Sequence, residues 1–390
     1  MADLTETDAE ALARLLQDPP ARTVLGLLTG SGHRAWIVGG AVRDALLQTP
    51  IGDVDIATDA RPEEVLALAE TAGLKALPTG LDHGTVTLLA GRPVEVTTLR
   101  RDVETFGRHA TVAFGTDPAE DAARRDFTMN ALYLAPDGAL LDPMGGLPDL
   151  RARRIRFVGD ASTRIREDYL RSLRYFRFHA QAGDPEEGLD PDALDAVARN
   201  LDGLDTLSRE RVGHEVLRLL ATPDPAPAVA AMRITGVLAR VLPGAGDGLL
   251  APLVHIEGEA RLPFDPLRRL AALGGEDTQD ALRLSKQQAR RLERLQDGMA
   301  SLTPPGELGY RLGPEEALGI LALRAALSNA TVDPEAAALA QDGGARRFPL
   351  AAADLAPLAG PALGQRLKVL ERAWIDSGFA LPPEALLALP

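Results

Sequence analysis

Cysteine is absent from this 390-residue chain. Without a thiol there can be no disulfide and no thiolate-held metal. Lysine is almost missing too: Lys75, Lys286 and Lys368 stand alone, so arginine carries nearly all of the positive charge. That skew reads as compositional bias and not as mechanism. Aromatic residues make up 4%. No apolar run reaches the roughly 18 residues of a membrane-spanning helix. The start, MADLTETDAEALARLLQ, is acidic and amphipathic and lacks the basic flank and apolar stretch of a signal peptide. The expectation is a cytoplasmic protein with no membrane contact.

With 45% hydrophobic and 25% charged residues the composition is that of a globular protein, and 390 residues exceed one compact core. The net charge of −14 argues weakly against a polyanionic partner. The average hides a reversal: over 151–180 nine arginines face three acids. Where charge is placed matters more than its sum.

The N-terminal part mixes helical and strand patterns. Residues 8–30 read as helical. HRAWIVGG reads as a buried strand ending in a glycine pair, and AVRDALLQT as the start of a helix. IGDVDIAT is a second strand, followed by a helix with Pro62 near its start. HGTVTLLAG and RPVEVTTLR form two strands around a tight turn at Gly91. The stretch 100–116 has no clean period and reads as a loop. From Leu150 the pattern becomes helical: ASTRIREDYLRSLRYFRFHAQAG reads as one long helix, and Ser285 with Gln288 forms a capping box. ATPDPAPA marks a further boundary, and no repeat of fixed period is found. The reading is α+β, a mixed α/β head over 1–150, a helical neck over 151–223 and a helical body and tail over 224–390.

GDVDIAT raises the first chemical question. On a strand, residues two apart share a face, which sets Asp53 beside Asp55 while Val54 and Ile56 point to the core. Two adjacent carboxylates repel by about 1 kcal/mol even when well screened. A divalent cation removes that cost, and hard oxygen ligands suit Mg²⁺, which keeps other positions for water and phosphate. Two solvated acids at a strand end fit the fragment as well. The preceding IVGGAVRDALL strengthens the metal reading. Gly39 and Gly40 allow close backbone approach at a strand-to-helix turn, and Arg43, followed by Asp44, adds a forked cation for phosphate. Glu95 in PVEVTTL fits a third metal carboxylate and a solvated strand acid equally.

WIVGGAVRDALLQTPIGDVDIAT resembles the first signature of the class II tRNA nucleotidyltransferases, within the DNA polymerase β-like superfamily. Four later segments match in that family's order: RRDFTMNALYL (124–134), LLDPMGGLPDL (140–150), REDYLRSLRYFRF (166–178) and SRERVGHEVLRLL (208–220). Together the five span residues 34–220, a little under half the chain, and nothing after 225 carries a motif.

The resemblance implies template-independent addition of CCA to the 3′ end of tRNA from CTP and ATP, with Mg²⁺ at Asp53 and Asp55 and pyrophosphate released. It implies that Asp126, braced by Asn130, selects a ribose, and that Arg125 holds phosphate. Asp168 and Arg171 of the Glu167-Asp168-x-x-Arg171 motif would read the base. One acceptor and one donor fork suit the Watson–Crick edges of cytosine and adenine. Guanine and uracil would leave buried groups unpaired. Arg174 and Arg177 continue that helix towards the nucleotide. Arg151, Arg153, Arg154 and Arg156 suit tRNA phosphates or a solvated turn.

No protein partner is implied, and the absence of a His-Asp dipeptide argues against an appended phosphohydrolase domain. Relatives carry an element that switches specificity from C to A at 100–116, where Phe106 replaces a common acid before Gly107-Arg108. CC-only addition, poly(A) synthesis and a non-catalytic tRNA-binding protein are the alternatives.

Overall fold

The computed structural model describes residues 4–106 and 109–390, with side chains throughout except at Asp82 and 102–112. The chain forms two compact units, the first running to Val212 and including Ile234–Arg240, the second made of Gly213–Arg233 and Val241–Pro390. Position 150 lies inside the first.

The first unit opens with two helices, not one. Asp18 accepts the Ala21 N–H, and Pro19 begins a new helix, so α1 (Glu6–Leu16) and α2 (Pro19–Gly30) are separate. Then follow β1 (Ala35–Val38), α3 (Gly40–Leu46), β2 (Asp55–Thr58), α4 (Pro62–Thr71), β3 (Lys75–Gly80), β4 (Thr85–Leu89) and β5 (Pro93–Thr98). After them come β6 (Arg100–Phe106), β7 (His109–Phe114), α5 (Pro118–Ala123), β8 (Tyr133–Leu134) and β9 (Leu140–Leu141). Helices α6 (Gly146–Arg151), α7 (Ala161–Glu167), α8 (Leu170–Ala182), α9 (Pro191–Arg199) and the first turn of α10 (Arg209–Leu220) complete the series.

Seven strands form one mixed sheet in the order β3-β4-β5-β2-β1-β8-β9. Its pairs are antiparallel except β2 with β5. Ile37, Ile56, Val86, Leu88, Val94 and Val96 are buried along its centre. The register has one consequence for chemistry. Parallel pairing sets Asp55 opposite Glu95, and antiparallel pairing sets Asp55 opposite Val38, the residue before the Gly39–Gly40 turn.

Three expectations change. The stretch 100–116 is not a loop: β6 and β7 pair as a hairpin, whose register shifts between Asp102 and Glu104 and so breaks the alternation a strand should show. Gly107, Arg108 and the side chain of Phe106 lie outside the described residues. Strand β3 escaped notice because it contains Pro78, which an edge strand tolerates. The helix expected over 161–182 is broken at Asp168, whose φ of −152° is extended.

The second unit carries helices and no sheet strand among the described residues. The Ser285–Gln288 capping box starts the helix Lys286–Ala300 as expected. Helices Pro305–Leu312 and Pro334–Ala345 cross so closely that a Cβ at Gly309 would lie 1.8 Å from the Ala340 carbonyl oxygen. At its core the buried Glu257 carboxylate takes Arg268 Nε at 2.7 Å and Arg269 Nε at 2.8 Å. Arg269 also donates to the carbonyls of Leu220, Thr222 and Pro223. No helix among the described residues is long and apolar enough to cross a membrane.

Candidate active site

Asp55, at the start of β2, is partly buried between Val38 on one side and Glu95 on the other. Burial, then the negative charges of Glu95 and Asp53, push its carboxyl up to about 6, against the pull of Arg125. Asp53 lies just before the strand and is exposed, as is Glu95. The shared-face argument therefore holds for Asp55 and Glu95 across two strands better than for Asp53 and Asp55 along one. Gly39, one residue past Val38, has φ +68° and ψ −125°, a backbone shape only glycine takes readily. A Cβ there would also come within 3.2 Å of Arg125 Nη1.

Arg43, expected to meet phosphate, is held by protein groups. Its guanidinium is buried: Nε donates to Asp44 Oδ1 at 2.8 Å and Nη1 to Asn130 Oδ1 at 2.8 Å. Asn130 Nδ2 in turn donates to Asp126 Oδ1 at 3.1 Å, and the Phe127 N–H to the same oxygen at 2.9 Å. The other carboxylate oxygen, Asp126 Oδ2, takes both prongs of Arg174, at 2.8 and 2.6 Å. Burial alone would raise the Asp126 carboxyl, but Arg174 and Asn130 outweigh it and hold it below the ordinary value.

Phe178 lies beneath this chain. The guanidinium carbons of Arg43, Arg174 and Arg177 stand 4.9, 5.2 and 4.2 Å from its ring centre. Arg177 is itself buried and donates to Gln181, so it supports the site from below. Arg174→Lys removes the fork while keeping the charge. On the ribose-selecting role that the resemblance implies for Asp126, the expected result is loosened discrimination, with dCTP use rising about 10-fold relative to CTP. Competition between the two nucleotides checks it.

Sequence reading missed Asp121, on α5. It is buried, takes the Tyr133 hydroxyl at 2.6 Å and pairs with Arg124 at 2.6 Å and Arg125 at 3.2 Å. The only sequence signal was its spacing, three and four residues before the two arginines on a helical turn.

The pair expected to read the base, Asp168 and Arg171, is arranged differently from the expected helix face. Extended Asp168 accepts the N–H of Leu170, the first residue of α8, at 3.2 Å and Arg211 Nη2 at 2.7 Å. Arg211 was another residue missed, from the last matched segment. Arg171, in the first turn of α8, is held by Glu167 at 2.6 Å and by the carbonyls of Arg164 and Arg124, both at 3.0 Å. Arg151, Arg154 and Arg156 pair internally, with Asp8, Asp149 and Asp149.

Among the described residues no group of three acidic or histidine side chains closes into a preformed metal cage. The donor set nevertheless fits Mg²⁺. That ion is commonly held by one or two carboxylates plus substrate phosphates. The crowded, upward-pushed Asp55 beside Glu95 and Asp53 is a site a cation would relieve.

A mixed sheet carrying acids on adjacent strands, beside a glycine turn and buried arginines, fits the nucleotidyltransferase class that the sequence resembles. The comparisons agree. The model of the poly A polymerase head domain matches residues 35–156, and that of a probable RNA and SrmB-binding site of polymerase A matches 188–248. The CCA-adding enzyme of Geobacillus kaustophilus is 36% identical over 335 residues, 81% of this chain and 80% of the relative. The chain belongs to the CCA-adding enzyme family.

The crystal structure of the Bacillus stearothermophilus CCA-adding enzyme in complex with CTP superposes with a TM-score of 0.75 at 32% identity, covering 93% of this chain and 94% of that one. The mitochondrial CCA tRNA nucleotidyltransferase 1 of Danio rerio is 48% identical over 186 residues, 47% of this chain. The match to that relative spans 43% of its length, so less than half of it is covered.

Proposed function

We propose that this protein adds CCA to the 3′ end of tRNA from CTP and ATP, without a nucleic-acid template, and releases pyrophosphate. The observation that carries the reading is the pairing of Asp55 with Glu95 next to the Gly39 turn, with Arg125 facing both turn and carboxylate. Membership of a family whose named relatives are CCA-adding enzymes supports it.

In the reaction the tRNA 3′-hydroxyl oxygen gives up its proton to solvent and bonds to the α-phosphorus, while the bond from that phosphorus to the pyrophosphate oxygen breaks and pyrophosphate leaves with the electron pair. Asp53 and Asp55, with Glu95 alongside, would hold Mg²⁺. When bound it supplies charge neutralisation for the triphosphate and acidifies the attacking hydroxyl. Gly39 and Gly40 let the triphosphate approach the backbone, and Arg125 holds it. Asp126 takes a ribose hydroxyl. Arg43, with Asp44, fixes Asn130 and through it one carboxylate oxygen of Asp126, beside the phosphate contact first expected of it. Arg174 and Arg177 support Asp126 and Phe178. Asp168 and Arg171 read the base edge.

Residues 1–150 act as catalytic head, 151–223 as base-reading neck and 224–390 as the tRNA-binding body. A cytoplasmic place and no protein partner complete the proposal. The paired β6–β7 segment, where relatives carry the switching element, supports full CCA addition over CC-only addition.

The test uses purified protein, Mg²⁺ and a tRNA transcript ending at the discriminator base, with CTP and ATP supplied singly and together. Growth by three nucleotides and then a stop is the expected result. A stop after CC, a long A ladder or no growth would favour the CC-only, poly(A) or non-catalytic readings in turn.

A further inference from the structure

The buried Asp121 carboxylate is not needed for any step above, yet several parts of the site converge on it. Its Oδ1 accepts Arg124 Nε at 2.9 Å and Nη2 at 2.6 Å. Its Oδ2 accepts the Tyr133 hydroxyl at 2.6 Å and Arg125 at 3.2 and 3.3 Å. The Arg100 N–H, at the first residue of β6, reaches Oδ1 at 3.4 Å. Tyr133 closes the ring by accepting Arg125 Nε at 2.9 Å, and its aromatic face lies 5.1 Å from the Arg125 guanidinium carbon.

What Asp121 holds is the Arg124–Arg125 dipeptide, and each half of it serves a different end of the nucleotide. The Arg125 guanidinium faces the Gly39 turn and Asp55, the triphosphate end. The Arg124 carbonyl accepts Arg171 Nη2 at 3.0 Å, the base end. A carboxylate that fixes both side chains of one dipeptide fixes the carbonyl between them as well. The base of the β6–β7 hairpin shares the same anchor.

We propose that Asp121 is the positioning residue that sets base selection, by locking Arg124–Arg125 so that the Arg171 fork and the Arg125 phosphate contact are held in one register. The inference rests on the nucleotidyl-transfer reading above. Asp121 touches no substrate. Without its charge, Arg125 loses a partner and the Arg124 carbonyl loses its fixed direction. The Arg171 fork then tolerates a base edge it should reject.

The test measures UTP against CTP in competition for the first added nucleotide, on the full chain, well below each variant's melting temperature. Asp121→Asn keeps the size of the side chain and removes its charge. The expected result is a rise of about 10-fold or more in UMP incorporation relative to CMP, together with a lower kcat for CTP. Tyr133→Phe removes one hydroxyl from the ring and should move the same ratio in the same direction by less. An unchanged ratio with only a lowered melting temperature would overturn the proposal and leave Asp121 a structural ion-pair partner. Should Asp121→Asn fail to fold, the ratio in Tyr133→Phe decides alone, and no change there overturns it. The wild-type lane separates the two readings. No addition by wild type sinks the nucleotidyl-transfer function itself, while normal wild-type addition with unmoved variants sinks only the role of Asp121.

Discussion

Asp55→Asn should be nearly inactive and more heat-stable than wild type. Loss of the central carboxylate is expected to lower turnover by about a thousandfold or more, with tRNA binding retained. The stability gain follows from the same carboxylate. An ordinary aspartate ionises near 3.8, whereas burial beside Glu95 and Asp53 pushes Asp55 up to about 6. The folded protein therefore holds that proton more tightly than the unfolded chain does. Stability is lost as pH rises from about 4 through 6, and the loss is complete above that window. Discounted for the partial exposure of the side chain, it is worth about 1–2 kcal/mol. Asparagine has no such proton to lose. The melting temperatures of variant and wild type should separate above pH 6 and converge near pH 4. Added Mg²⁺ should raise the melting temperature of wild type and leave the variant unmoved. Equal melting temperatures at pH 7.5, or unimpaired turnover, would remove Asp55 from the centre of the site.

Glu257→Ala should produce the largest loss of stability in the second unit. Glu257 is 1% exposed and is the charge partner of both Arg268 and Arg269, themselves 3% and 0% exposed. Removing it leaves two buried guanidiniums without a counter-charge, at a cost of about 3–5 kcal/mol. The carbonyls of Leu220, Thr222 and Pro223 still take Arg269, which keeps the cost from rising further. Denaturant unfolding should show the transition at markedly lower urea. Replacing Glu257, Arg268 and Arg269 together by apolar residues should recover much of the loss, because no charge is then stranded. A single alanine variant as stable as wild type would show that water reaches the arginines.

That cluster also marks where sequence reading runs out. PLRRLAAL looks like a helix with two solvated arginines, and no periodicity says that they point inward towards a glutamate eleven and twelve residues away. The sheet and the glycine turn were legible, since WIV, DIA and the VEV of PVEV carry alternating or fully apolar patterns that water enforces. The hairpin was hidden by its shifted register. The break at Asp168 was hidden because arginine and leucine continue a helical period on both sides of it. Within the site, the named motifs supplied Asp55, Asp126 with its brace Asn130, Asp168 and Arg171, but not that Arg174 pairs with Asp126 or that Arg211 pairs with Asp168. Glu95 was legible as an outward strand residue, but its place opposite Asp55 depends on β2 and β5 pairing in parallel, which one sequence does not state. For Arg43 the glycine turn before it suggested phosphate but gave no sign of its protein partners. Its burial against Asn130 and Phe178 needs contacts from 87 and more residues away.

Asp168 and Arg171 both already hold protein partners, Arg211 and the Leu170 N–H for one and Glu167 with two carbonyls for the other. On the proposed reading an arriving base therefore enters by substitution: each hydrogen bond it makes displaces one that the protein was making to itself. Calorimetry of CTP binding should then show a small heat and a modest affinity, because like is exchanged for like. A mismatched base displaces the same bonds and returns fewer. Discrimination accordingly comes from what the wrong base fails to give back, and a site that grips its correct substrate only lightly can release one nucleotide and turn to the next within a single round of growth.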